Sequence, residues 1–216
     1  QGRITAAASG TISGAEIADN AVTTVKILDD NVTAAKISNN EDFTINSLTV
    51  GKGANSVAGN TVLGESALDA AVTGNFNTSI GKNSLTANTA GDRNVALGYE
   101  TLFTNTVGDR NVAIGMQALY SQNPASNTDM NNVAIGHSSA FNTTTGINNT
   151  AVGTNTLFAN TTGSKNSALG YNSLDANTTG ENNTGIGGGA LSSNTTASNN
   201  TALGYAALNA NTTGTQ

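Results

Sequence analysis

The chain has 216 residues, of which 37% are apolar, 4% aromatic and 10% charged, too few apolar side chains for a thick conventional core. A net charge of −6 argues against binding nucleic acid through phosphate neutralisation, and no apolar run approaches the length of a membrane span. Twenty-five Gly with abundant Asn and Thr and no Cys disfavour helix and remove disulfides, thiolate metal sites and cysteine nucleophiles. Regularly placed Leu, Ile and Val separate the chain from a disordered one.

Residues 1–42 carry a ten-residue period: Ile17, Ile27 and Ile37 are in phase, as are Asp19 with Asp29, Val22 with Val32 and Lys26 with Lys36. The β-branched residues and the turn pairs Asp19-Asn20 and Asp29-Asp30 predict a short strand, a turn and a return, too small to fold alone. Residues 43–59 follow as a β adaptor, because Phe43 to Val50 alternate like a strand and lead through Gly51 and Gly53 into a different geometry.

From Asn60 to the end, a pentad of Asn, small or branched residue, small residue, aliphatic and Gly occurs nine times, beginning at Asn60, Asn77, Asn94, Asn111, Asn132, Asn149, Asn166, Asn183 and Asn200. The step is 17 throughout, save for 21 between Asn111 and Asn132. A Leu column follows at Leu68, Leu85, Leu102, Leu119, Leu157, Leu174, Leu191 and Leu208, and then NTTG or a variant of it. Val112 and Ile114 share one face of the pentad, and Asn111 and Ala113 the other. Each repeat therefore predicts one solenoid coil of two short strands and two turns, stacked in parallel on its neighbours. Such a coil buries about two large aliphatics, such as Ile114 and Leu119, and at roughly 25 cal/mol per Å² this barely balances the ordering entropy. A lone rod should be marginal, so we expect a closed assembly of several chains, a homotrimer.

The pentad NVAIG resembles the coil motif of trimeric autotransporter adhesin heads, the YadA-like family, whose coil is usually shorter. The longer phrase NTALGYAALNANTTG and the upstream VTTxKI runs resemble repeats of bacteriophage tail fibres. The resemblance implies an all-β repeat solenoid, a left-handed parallel β-roll of about 17-residue coils assembled as a homotrimeric fibre. It implies a structural and adhesive segment displaying host-binding surfaces on a virion tail, or alternatively on a bacterial cell surface. A Thr-laddered ice-binding solenoid is a remote third reading. The expected partners are the other chains of the trimer and a host cell-surface glycan or protein, with no nucleic acid and no membrane insertion. Because Gln1 stands where a Met would start and a coil is complete at Gln216, flanking sequence is expected in the intact protein.

No constellation predicts catalysis, a cofactor or a metal. The single histidine, His137, occupies a column also filled by Glu65, Lys82, Tyr99, Met116, Thr154, Tyr171, Gly188 and Tyr205, which points to packing. A three-copy metal or anion site and a triad with Ser138 or Ser139 are the sharper alternatives. The run Gly187 to Gly189 lacks the Lys of a phosphate loop and reads as local loosening of one coil, and the NTT sequons are generated by the repeat itself. Phe103, Tyr120, Phe141 and Phe158 share one coil position and predict an aromatic ladder, used for inter-chain packing or for stacking on sugars. The insertion within 121–131 holds the only proline, Pro124, and should bulge from the solenoid. A distinctive loop on a regular scaffold is the natural place for recognition, so the candidate receptor contacts are Gln122, Asn123, Pro124, Asn127 and Asp129, with the neighbouring His137 and Phe141.

Overall fold

The structure, a computed structural model, describes residues 42–214. The ten-residue repeat of the N-terminal segment lies outside the described residues. The described chain opens with β1 (Phe43–Ile45) and β2 (Leu48–Gly51), which pair antiparallel. The expected single adaptor strand is thus a hairpin: Asn46 and Ser47 have φ of 49° and 68°, the left-handed pair that lets two residues reverse a chain in step with strand twist. Asp42 fixes the exit of the hairpin by accepting from the backbone N–H of Lys52 at 2.6 Å and of Gly53 at 2.8 Å.

Every pentad supplies one short strand. These are β3 (Thr61–Gly64), β4 (Thr78–Ile80), β5 (Val95–Leu97), β7 (Val112–Ile114), β9 (Val133–Ile135), β10 (Thr150–Val152), β11 (Ser167–Leu169), β12 (Thr184–Ile186) and β13 (Thr201–Leu203). Each pairs in parallel with the next, and β2 pairs antiparallel with β3, so the hairpin covers the first edge of one 11-stranded sheet. The register joins equivalent residues, Thr150 to Ser167 and Ala151 to Ala168, and the β7–β9 pair keeps it across the longer step, Ala113 opposite Ala134. The fold is an all-β parallel β-solenoid of about eight turns.

The inward face of the strand is the small one. Asn111 and Ala113 are fully buried, whereas Val112 and Ile114 are only half-buried on the outside. Ile114 is therefore not one of the core aliphatics, contrary to the expectation from area. Its column is an exterior stripe in which Leu63, Leu97, Ile135, Leu169, Ile186 and Leu203 are exposed. Inside, the Leu column provides the large apolar groups: Leu68, Leu85, Leu102, Leu119, Leu157, Leu174 and Leu191 are wholly buried, each worth about 1.5–3 kcal/mol of transfer free energy. They face Ala96, Ala113, Ala134, Ala151 and Ala168 across a narrow bore. The bore is so narrow that Ser139 Oγ on the Leu side reaches the carbonyl oxygen of Ala151 on the strand at 2.9 Å. Two facing columns of large aliphatics have no room there.

The segment from the pentad Gly to the Leu column is not the expected second strand. Gln117 and Leu119 have φ of 60° and 51°, and the corresponding residues of other coils repeat this, with Asn83 and Leu85 at 57° and 50°. Alternating left-handed residues coil the chain into a tight arch instead of extending it. The arch still gives its backbone donors to neighbouring coils, Leu119 N–H to the carbonyl of Ser139 and Gln117 N–H to that of Tyr99. The pentad Gly is needed at its entry for two reasons. Gly81 has φ of 124°, and a Cβ there would sit 2.5 Å from the carbonyl oxygen of Gly98 in the next coil, so both the dihedral and the coil-to-coil approach exclude a side chain.

Two buried Asn ladders replace the missing apolar volume. In the first, the backbone N–H of Asn166 donates to Asn149 Oδ1 at 3.0 Å, and Asn166 Nδ2 donates to the carbonyl of Gly180 at 2.8 Å. The pattern repeats at Asn77, Asn94, Asn149 and Asn183. The second ladder is made by the Asn of the NTTG phrase: Asn177 Nδ2 donates to Asn160 Oδ1 at 3.0 Å and to the carbonyl of Gly180 at 3.1 Å. Side-chain amides carry both donor and acceptor, so an uninterrupted column satisfies itself and the turn backbone it encloses.

Candidate functional site

The insertion stays attached to the solenoid along most of its length. Its second half forms β8 (Thr128–Asp129), which pairs in parallel with β6 (Gly108–Asp109). Met130 re-enters the core and is fully buried. Gln122 is buried too, standing in the second Asn ladder: its Oε1 accepts from Asn132 Nδ2 at 3.0 Å and its Nε2 donates to Asn105 Oδ1 at 3.4 Å. Gln122 is therefore removed as a receptor contact, since its amide is consumed inside the coil, and Pro124 is also buried. Asn123, Asn127 and Asp129 are exposed. Each is held in place: Asn123 Oδ1 accepts from Thr106 Oγ1 at 2.7 Å, Asn127 Nδ2 donates to the carbonyl of Ala90 at 3.4 Å, and Asp129 pairs with Arg110 at 2.6 Å.

Phe141 adjoins this loop, because the N–H of Ser121 donates to its carbonyl at 3.0 Å. His137 is exposed, and among the described residues no hydrogen bond, ion pair or ring contact joins it to the loop. The structure thus brings the loop and Phe141 together and leaves His137 in a separate column. Among the described residues no group of His, Asp and Glu has the makings of a metal site. No helix among them is long and apolar enough to cross a membrane.

The aromatic ladder forms as expected. Phe103, Tyr120, Phe141 and Phe158 stack at centroid separations of 5.0, 4.9 and 5.4 Å with near-parallel rings. The spacing is that of the coils themselves, so the rings stack because the solenoid repeats. Their edges and outer faces are part-exposed. The NTT phrases have another fate. Asn160, Asn177 and Asn194 are fully buried, and Thr161 and Thr178 hydroxyls donate to the carbonyls of Thr178 and Thr195 in the next coil at 3.0 Å. These amides and first Thr hydroxyls are occupied within the fold, whereas the second Thr of the phrase, as at Thr162 and Thr179, is exposed.

One feature was not anticipated from the sequence. Beyond Phe158, the ring position is taken by Asp175, and the run Gly187 to Gly189 lies one coil further on. That run is not loosened: the N–H of Gly187 reaches the carbonyl of Leu169 at 2.8 Å and that of Gly189 reaches Tyr171 at 2.9 Å. The coil keeps its path and lacks only side chains. A cleft of about 350 Å³ results, walled by Tyr171 and Tyr205 and floored by Asn172 and Asp175. It adjoins a smaller one of about 160 Å³ between Phe158 and the same two floor residues. The sequence signal was subtraction, Gly188 standing where Tyr171 and Tyr205 stand in the coils on either side.

Two carboxyls are shifted by their surroundings. Burial pushes Asp175 above the ordinary carboxylate range, more strongly than the N–H groups of Asp175 and Ala176 hold it down. Burial likewise raises Asp109, against the opposing hydrogen bond from the Asp92 N–H and together with repulsion from Asp92 and Asp129. On the exposed arch Glu100 is lowered, first by the Gln117 amide that donates to it at 3.0 Å and then by Tyr99. No protein-family model, no curated protein and no solved structure matches the chain.

Proposed function

We propose that this chain is a structural and adhesive segment of a homotrimeric extracellular fibre, a tail-fibre shaft on a virion, with no enzymatic reaction of its own. The observation that carries the reading is the exterior apolar stripe. Nine consecutive coils present Leu, Ile or Val at the same outward strand position, from Leu63 to Leu203, a continuous apolar row that a solitary soluble rod would have no reason to maintain. Three rods related by a rotation axis bury three such rows at once, and the closed symmetry ends the assembly. The ten-residue repeats upstream, which resemble tail-fibre segments, favour the virion over a cell surface.

Sedimentation equilibrium tests the assembly. The expected particle has three times the 21.5 kDa mass of one chain, and the triple substitution Leu97→Gln, Ile135→Gln, Leu169→Gln dissociates it while leaving β-rich circular dichroism. A wild-type monomer in native buffer refutes the reading.

A further inference from the structure

The geometry points to the cleft between Tyr171 and Tyr205 as a binding site for a neutral glycan, a chain of hexopyranose rings. The inference deepens the adhesive part of the proposed function and rests on it, adding the ligand class and the place.

Four observations converge there. First, the cleft is made by omission. Gly188 lacks the left-handed φ of its neighbours, and a Cβ on it would lie in ordinary contact, 3.5 Å from Tyr205 Cδ2. A Cβ is therefore permitted by backbone and space, and the absence of a side chain leaves a slot one coil high. Second, the walls are two exposed tyrosines, flat apolar faces with a polar tip, of the kind that cover the axial C–H face of a pyranose. Third, the floor has unmet acceptors. Asn172 Oδ1 and Asp175 Oδ1 are buried without a hydrogen-bond partner, so a turn of either side chain towards a hydroxyl donor in the cleft gains a bond that the closed arrangement lacks. Fourth, the slot continues into the exposed side of Phe158 at the end of the stacked ring column, which extends the apolar track along the fibre beyond a single sugar unit.

A cationic ligand is the competing chemistry for an Asp between two aromatic residues. It is disfavoured because the site holds a single carboxyl, while Ser192, Ser193 and Asn209 on the rim are neutral groups that both donate and accept.

The test uses the full chain and saturation-transfer NMR titrations with maltohexaose, cellohexaose and chitohexaose, and with pentalysine as the cationic probe. At least one hexasaccharide is expected to bind saturably in the millimolar range typical of shallow sites. Gly188→Tyr, which restores the occupant found in the adjacent coils, is expected to weaken it by at least about tenfold, equivalent to 1.4 kcal/mol, with an unchanged thermal melt. Tyr205→Ala is the second variant, since it removes one wall of the cleft, and it too is expected to lose binding. The proposal is overturned if none of the three sugars binds, if binding survives both substitutions, or if pentalysine alone binds. Sedimentation of the same samples separates the two readings: a trimer that binds no sugar retains the fibre and loses the glycan site, and a monomer that binds sugar does the reverse.

Discussion

Removing one amide from the first Asn ladder measures how far polar groups, not apolar ones, hold this solenoid together. Asn166 is fully buried, donates to the carbonyl of Gly180 at 2.8 Å and accepts from the N–H of Asn183 at 3.0 Å. Asn166→Leu keeps the branched shape but leaves that N–H without a partner, while the carbonyl retains only the Asn177 amide at 3.1 Å. At about 1–3 kcal/mol for an unsatisfied buried group, the loss is about 1–3 kcal/mol. Asn166→Asp separates donor from acceptor: the carboxylate still accepts from Asn183 but repels the Gly180 carbonyl, whereas the carboxylic acid can serve both. Its folded-state pKa is accordingly raised above its unfolded value. The penalty is full above the folded pKa and fades as pH falls through it, vanishing below the unfolded pKa. Urea unfolding followed by far-ultraviolet dichroism, at neutral and at acidic pH, checks both magnitude and sign. Because coils of a solenoid open locally, amide exchange at Asn183 should report the same change first. An Asn166→Leu variant within about 0.5 kcal/mol of wild type, the ordinary range for surface substitutions, would refute the reasoning, as would an Asn166→Asp deficit that does not shrink in acid.

Three further outcomes are expected. Leu119→Asp should unfold its coil and the adjoining ones, because an unpaired charge replaces a wholly buried Leu. Ile114→Asp should leave the coil folded and affect only the association of chains; equal thermal losses in the two variants would contradict the assignment of faces. Asp175→Asn should raise thermal stability at neutral pH, because burial disfavours the charged carboxyl in the folded state. The wild type recovers the difference as pH falls through the raised folded pKa, so an advantage that persists unchanged in acid would count against burial as its cause. Deleting Pro124 to Asn127 restores the common step but places Asp129 in a column that other coils fill with Gly, and once with Ala197, and a Cβ on Gly163, in that column, would lie 2.5 Å from the Gly180 carbonyl oxygen. The deletion alone should lower the melting temperature and Asp129→Gly should restore it; a deletion variant as stable as wild type would mean that the insertion does not serve to accommodate that residue.

The periodicity, the parallel in-register stacking, the place of the insertion and the stacked column from Phe103 to Phe158 were all legible in the sequence. The reason is that a solenoid translates sequence period directly into neighbour contacts: residue 150 meets 167 because the coils repeat. Which face of the pentad points inward was not legible. Counting apolar area favours Ile114 over Ala113, but the arch through Gln117 and Leu119 tightens the coil until its bore admits one large column, and Leu119 occupies it from the far side. A hint was present within the chain, since Asn is invariant at the pentad's first position in nine coils, a constancy that an outward polar residue does not need. Gln122 read as a loop residue because its distance along the chain from Asn105 matches the Asn ladder only once the insertion is placed after it. The cleft at Gly188 was the least legible feature. A missing side chain becomes a site only when the coils above and below supply Tyr171 and Tyr205 as walls, and that juxtaposition belongs to the stack of coils, not to any one stretch of residues.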